Sequence, residues 1–320
     1  MREPPPDLTE SDLIATLRAG WDIEATSVDF LPVGAGSHCW SVRDSGGARW
    51  FVKADSPGSL DDLRRSLLTA VTLRESGLDF VLAPVRGSGG EILRRLFPTY
   101  AISVFPFTEG TAGDFVPHAP DDRHRTIELL AALHGVTTAP APHLDLRLPG
   151  RDRLNEVLRD TGEVWSTGPY AEPARRVLAG HADRIHGWLA EFDTLAAHVR
   201  DRGDWVLTHG EPHPGNLLRT AGGPLLIDWD TARIAPPERD LWMLTGGFAS
   251  MLGLQPAGDD DAVLGHYTSL TGREISGDGL AFFRLWWVLA DIAIYADELH
   301  RPHGESADLA ASLTYLTGYL

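Results

Sequence analysis

The chain has 320 residues, of which 43% are hydrophobic, and 45 acidic against 28 basic side chains give it a formal charge of −17. That hydrophobic share excludes a disordered chain, and the acidic balance opposes binding to a polyanion, so no nucleic-acid partner is expected. The length suits two domains of about 100 to 200 residues each.

The longest apolar stretch, residues 280–296, contains Arg284 and Asp291; it reads as a buried helix rather than a membrane span, and no membrane or protein partner is expected. Cys39, the single cysteine, has no partner for an intrachain disulfide and no visible base beside it. The first ten residues are proline-rich and acidic rather than basic and then apolar, so the sequence reads as cytoplasmic.

In chain order, Thr9 followed by Asp12 reads as a capping pair opening a helix through Leu13 and Leu17 to Gly20. Strand-like runs follow at 27–31, 39–42, 50–52, 80–85, 91–96 and 100–105, with glycine turns at 34–36, 46–47 and 87–90. This pattern predicts an antiparallel sheet built from hairpins. One helix interrupts it over 60–76, with Leu63, Leu67, Ala70 and Val71 at helical spacing and Gly77 as its stop.

After Gly110 the periodicity turns helical: around 127–134, as a pair over 171–202, then 239–251, 260–270, 279–299 and 306–319. The fold class is therefore α+β, with a small sheet-rich N-terminal lobe over 1–107 and a larger, mostly helical lobe over 108–320. A loop over 209–216 interrupts the helices, and Pro212 and Pro214 forbid a regular helix there. They also rule out the helical His pair of a zinc protease, although His209 and His213 flank Glu211.

Composition marks one residue. The chain has 27 arginines and one lysine, Lys53, in the β-like run Phe51-Val52-Lys53. A retained ammonium suits gripping a phosphate, while a chance survivor is the plainer alternative.

Glu211, Asn216 five residues on and Asp228 twelve further form the constellation that carries chemistry. A carboxylate and an amide oxygen make a hard oxygen site suited to Mg²⁺, and a second carboxylate can orient an alcohol. These are the parts of phosphoryl transfer. Singly, each residue reads equally as a turn former or a strand end.

The segments HGEPHPGNLL at 209–218 and LLIDWD at 225–230 resemble the catalytic and metal-binding loops of the aminoglycoside phosphotransferases and their choline kinase-like relatives. ELLAALHGV at 128–136 and PPERDLWML at 236–244 are similar to the flanking helices. The resemblance implies a protein-kinase-like two-lobed fold, with Glu211 at the base position and Asn216 and Asp228 holding magnesium. The family usually has aspartate where Glu211 stands.

The resemblance further implies that Gly34, Gly36 and Ser37 cover nucleotide phosphates and that Lys53 contacts them, with ATP or GTP as donor. The strand ending in Phe105 and Phe107 is the candidate adenine-binding edge; a plain core strand reads the same way. Helix 60–76 offers no acid at its middle to pair with Lys53. His209 and Asp240 are expected to brace the loop. Acceptor walls are expected from Trp229, Asp230, Asp291, Tyr295 and Glu298, with Trp286 and Trp287 as aromatic alternatives.

The resemblance thus implies a Mg²⁺-dependent kinase of a small-molecule hydroxyl, first of all an aminoglycoside, aminocyclitol or nucleoside-type antibiotic, with resistance as its role. A kinase of choline-like amino alcohols, homoserine or sugars is the alternative, and a non-catalytic nucleotide binder is the alternative from another class.

Overall fold

A computed structural model describes every residue except Ala35 and Ala257. Ala35 belongs to the expected glycine turn and lies outside the described residues. The chain forms two compact units, both discontinuous in sequence. The first comprises Met1–Phe115, Val136–His143 and His209–Ile234; the second comprises Val116–Gly135, Leu144–Thr208 and Ala235–Leu320. The sequence reading divided the chain once, after residue 107. The folded grouping instead joins the 209–234 loop region to the sheet.

The first unit opens with α1 (Glu10–Trp21), held by the expected capping box between Thr9 and Asp12. Strands β1 (Ala25–Leu31), β2 (Ser37–Asp44) and β3 (Arg49–Asp55) follow as antiparallel hairpins. Helix α2 (Leu60–Glu75) then precedes β4 (Arg94–Leu96) and β5 (Tyr100–Pro106). The sheet runs in the order β1-β2-β3-β5-β4. Period-two alternation sends its side chains to two faces. Val52, Ala54, Ile102 and Val104 pack with Leu13, Leu17 and Trp21 of α1. Ala101 and Phe105 pack with Leu63, Leu67 and Val71 of α2. Lys53 lies on that second face, opposite Cys39 on β2 and Ser103 on β5.

Residues 80–85 differ from the strand expected of them. Pro84 cannot donate to a ladder. Only scattered bonds form: Leu226 N–H to the Phe80 carbonyl at 2.7 Å, Leu82 N–H to the Leu226 carbonyl at 3.1 Å, and Val85 N–H to the Val104 carbonyl at 2.7 Å. The first two tie the hairpin β6 (Leu217–Thr220) and β7 (Gly223–Leu226) to residues 80–82, and the third ties Val85 to β5.

The second unit is helical, with α3 (Pro120–His134), α4 (Arg151–Arg159), α5 (Ala171–Arg200), α6 (Asp260–Thr271), α7 (Gly277–His300) and α8 (Ala307–Tyr319). Helix α5 is one 30-residue helix rather than the expected pair. Gly180 and Gly187 sit where an added Cβ would meet nothing, and isolated glycines cost only about 1 kcal/mol each, too little to break it. The helix expected over 239–251 is broken instead, because Thr245 adopts an extended conformation between short helical pieces. By length and composition α7 could cross a membrane, but half of its apolar window is buried within the protein. Phe282 packs on Phe192 of α5, with ring centroids 5.0 Å apart, as a core helix does.

Candidate active site

The first unit gathers Lys53, Glu211, Asn216, Asp228 and Asp230, which are far apart in sequence. The scaffold of the 209–216 loop is His209, which is fully buried. Its Nε2 lies 2.8 Å from the Ile227 carbonyl, and its Nδ1 accepts the Glu211 N–H at 3.3 Å. One neutral tautomer satisfies both, with the proton on Nε2. Thr231 Oγ1 donates to the His209 carbonyl at 2.9 Å, and the Trp229 indole meets the imidazole edge-on at 4.7 Å. His209 therefore links the stem of Glu211 to the segment after β7 that carries Asp228.

Asn216 closes the same loop from its other end. Its backbone N–H donates to the His213 carbonyl at 2.9 Å, and its Nδ2 donates to the Glu211 carbonyl at 3.0 Å. The Asn216 carbonyl in turn accepts the Ile227 N–H at 3.0 Å. Pro214 approaches Gly113 so closely that a Cβ there would lie 2.7 Å from the proline Cβ, so glycine is required. Phe115 packs edge-on against His213 at 4.7 Å.

Asp228 has a φ of +67°, a left-handed conformation unusual for a residue with a side chain. The chain turns there into a short helical turn and presents the carboxylate to Lys53, whose Nζ lies 2.5 Å from Asp228 Oδ1. Asp230 Oδ2 lies at 3.4 Å and Asp55 Oδ1 at 3.5 Å from the same nitrogen. Burial works against the lysine charge, yet the three carboxylates hold its pKa well above the usual value. Burial also pushes the Asp228 carboxyl up, but the Lys53 ammonium outweighs it and the group stays below its usual range. Asp230 goes the other way, pushed up to about 7 by burial and the neighbouring Asp228 charge.

The acid missing from the middle of α2 is thus supplied elsewhere. Ser66 occupies the helix face turned to the Asp228–Asp230 segment, where its hydroxyl donates to the Ala232 carbonyl at 3.1 Å and accepts from Arg233 Nη1 at 2.6 Å. Asp55 was not singled out in the sequence. The signal was present: two residues after Lys53 on a strand, its side chain shares the lysine's face.

Gly34 and Gly36 have φ of +71° and +81°, which a side chain would resist, and lead into Ser37. Ser37 is buried and its Oγ donates to Asp55 Oδ1 at 2.5 Å. Phe105 is a core side chain against Phe51 and α2. Phe107 lies just past β5 with the Arg49 guanidinium 3.6 Å above its ring.

The expected acceptor walls separate. Trp229 is fully buried and its indole N–H is occupied by the Leu226 carbonyl at 2.9 Å, so it supports the loop and has no surface for a ligand. Asp230 is turned to Lys53. Asp291, Tyr295 and Glu298 lie in the second unit. Asp291 accepts from the Tyr319 hydroxyl at 2.7 Å, Glu298 from Ser312 at 2.9 Å, and Tyr295 packs on Tyr315, so α8 covers this face of α7. Trp287 donates to the Tyr319 hydroxyl at 3.1 Å, and Trp286 stacks on Phe282. Asp240, also in the second unit, faces His134 Nε2 at 3.0 Å with both side chains fully buried.

Among the described residues no group of three or more His, Cys, Asp or Glu side chains is arranged as a metal cage. What the site offers is one amide oxygen and one carboxylate. With Asn216 Nδ2 turned to the Glu211 carbonyl, Oδ1 is the atom left for a cation. Such a sparse oxygen set fits Mg²⁺, which keeps waters and takes phosphate oxygens as further ligands.

The family model described as "Phosphotransferase enzyme family", APH, matches residues 28–273. The chain belongs to the APH phosphotransferase family. Members of this family are nucleotide-binding kinases of small molecules, and the chain is such an enzyme. It is 33% identical over 318 residues to Protein StrN of Streptomyces griseus, covering 93% of this chain and 88% of that protein. Among solved structures, a spectinomycin phosphotransferase in complex with ADP and spectinomycin matches with a TM-score of 0.74 at 18% identity, over 97% of this chain and 94% of that one. An ethanolamine kinase of Plasmodium vivax matches with a TM-score of 0.62 at 14% identity, over 97% and 87%. These structural likenesses establish the kinase-like fold expected from the sequence.

Proposed function

We propose that this phosphotransferase moves the γ-phosphoryl group of ATP or GTP to a hydroxyl of a small-molecule antibiotic of the aminoglycoside, aminocyclitol or nucleoside type, and thereby confers resistance in the cytoplasm. The observation that carries the catalytic part is the convergence of Lys53, Asp228, Asn216 and Glu211 within one compact unit. The antibiotic acceptor is supported by the spectinomycin phosphotransferase, which shares the fold over nearly the whole of both chains.

In this reading the Lys53 ammonium binds the donor's phosphates, and the backbone around Gly34, Gly36 and Ser37 covers them. Asn216 and Asp228 would hold Mg²⁺, which when bound neutralises phosphate charge. Glu211 orients the acceptor hydroxyl and takes its proton as the oxygen bonds to the γ-phosphorus. The bond from that phosphorus to the bridging oxygen breaks, and the nucleoside diphosphate leaves with the electron pair. Glutamate reaches one methylene farther than aspartate, and positioning matters more than basicity in a loose transition state. The Glu211 side chain retains 29% of its surface, enough to meet a hydroxyl.

The ethanolamine kinase with the same fold favours a second reading, an amino-alcohol or other metabolite acceptor. Mass spectrometry decides between them. The enzyme is incubated with Mg-ATP or Mg-GTP and, separately, aminoglycosides, aminocyclitols, nucleoside antibiotics and amino alcohols. Gain of one phosphoryl group on an antibiotic, abolished by Glu211→Ala, supports the resistance kinase. Gain on an amino alcohol alone replaces it with the second reading.

A further inference from the structure

Asp55 has no place in the functional reading so far, yet its environment is unusual. It is only 6% exposed, at the last position of β3, with Ser37 directly opposite on β2. Its Oδ1 accepts the Ser37 hydroxyl at 2.5 Å and lies 3.5 Å from Lys53 Nζ. Its Oδ2 is buried and has no hydrogen-bond partner among the described residues. A buried carboxylate with one oxygen unpartnered is costly unless a positive charge stands beside it. Lys53, 3.5 Å away, supplies that charge.

The other two carboxylates near Lys53, Asp228 and Asp230, both belong to the loop that would hold the metal. In this structure the ammonium sits on Asp228 at 2.5 Å, and with no carboxylate elsewhere to turn to it would stay there and mask the metal ligand. Helix α2 offers Ser66 rather than an acid at the matching face. Among the described residues Asp55 alone offers Lys53 a carboxylate from the sheet, and Ser37 fixes which way that carboxylate points.

We infer that Asp55 is the positioning residue of the catalytic lysine, replacing an acid on α2, and that the Ser37 hydroxyl couples the glycine turn to it. The line Ser37–Asp55–Lys53 joins the segment that covers the phosphates to the group that binds them. A phosphate that draws the ammonium off Asp228 therefore meets an Asp55 carboxylate already oriented by Ser37 to receive it. The inference rests on the reading of Lys53 as a phosphate ligand.

The two outcomes of simple charge removal and lost positioning have opposite signs. Removing a nearby negative charge by itself favours an anionic ligand. Losing the positioning group leaves Lys53 on Asp228 and disfavours it.

The test is calorimetric titration of ADP, Mg-ADP and adenosine into wild type, Asp55→Asn, Ser37→Ala, the double variant and Lys53→Met. Adenosine carries no phosphate, and unchanged adenosine affinity reports an intact nucleoside site. The expected result is a Kd for ADP and Mg-ADP raised about five- to tenfold in Asp55→Asn, with adenosine within twofold. Ser37→Ala is expected to raise the ADP Kd two- to fourfold alone and to add nothing in the Asp55→Asn background, the non-additivity of residues acting through one another. In Lys53→Met, ADP affinity falls by tenfold or more.

Tighter ADP binding by Asp55→Asn would reduce Asp55 to a mere charge and overturn the inference. Equal losses for ADP and adenosine would do the same by assigning it a purely structural role. Unchanged ADP affinity in Lys53→Met would remove the underlying reading of the lysine instead. If Asp55→Asn does not fold, Ser37→Ala alone carries the test through its ADP-to-adenosine ratio, and an unchanged ratio overturns the coupling.

Discussion

The imidazole of His209 bridges Glu211 and Ile227, accepting the N–H of the first at 3.3 Å and donating to the carbonyl of the second at 2.8 Å. Both ring nitrogens are committed in a fully buried position. His209→Ala removes both bonds from partly buried backbone groups, at about 1 kcal/mol for each hydrogen bond lost. Thermal denaturation is expected to show a Tm several degrees lower. Turnover should fall at least tenfold, because Glu211 loses its tether, while the nucleotide KM changes less than threefold. A fully active His209→Ala enzyme would mean that the loop holds its shape without the brace.

Replacing Glu211 separates binding from chemistry. Glu211→Gln keeps the shape and removes the proton acceptor, so kcat should drop about 10²- to 10⁴-fold. The Kd for nucleotide measured by titration should move less than threefold. Glu211→Asp should retain part of the activity, with the shortfall in kcat.

Asn216 commits its Nδ2 to the Glu211 carbonyl, which leaves Oδ1 for a cation. Asn216→Asp keeps the oxygen but sets a carboxylate against that carbonyl, whereas Asn216→Ala loses both. A titration of rate against Mg²⁺ should show the half-saturating concentration rising at least tenfold in Asn216→Ala. A magnesium requirement identical to that of wild type would remove Asn216 from the metal site.

Much of this arrangement is legible in the sequence, and the exceptions have physical causes. Thr9 and Asp12 announce α1 because a capping box is purely local. The 209–216 loop is legible because prolines and glycines fix its shape whatever surrounds it. Residues 80–85 look like a strand because their composition suits one, but pairing depends on neighbours that lie far along the chain. The acid beside Lys53 escapes a reading that looks along a helix, because it comes from the lysine's own strand. Trp229 reads as a pocket wall by its place next to Asp228, and only the packing against His209 buries it.

Stability in the second unit should depend on pH through Asp291. Burial pushes its carboxyl up to about 6 from 3.8, partly opposed by the Tyr319 hydroxyl bond. A carboxyl raised on folding is better protonated in the folded chain, so its contribution is fully present below about pH 4 and is lost as pH rises through 6. The difference of two pKa units corresponds to roughly 2–3 kcal/mol at most, less for a side chain not wholly excluded from water. Asp291→Asn is expected to gain stability relative to wild type between pH 4 and 7 by on the order of 1–2 kcal/mol, read as urea midpoints at each pH. A difference constant across that range would show that the carboxyl titrates as it does in water.

The lone lysine of the sequence is also buried, ringed by Asp55, Asp228 and Asp230. A lysine-directed acylating reagent therefore has one side-chain address in this protein, and that address is the candidate phosphate grip. Slow labelling that becomes slower still as a nucleotide is added would turn occupancy of the site into a single mass shift on a single peptide. The arginine-rich surface would stay silent, so the enzyme carries its own reporter with nothing engineered into it.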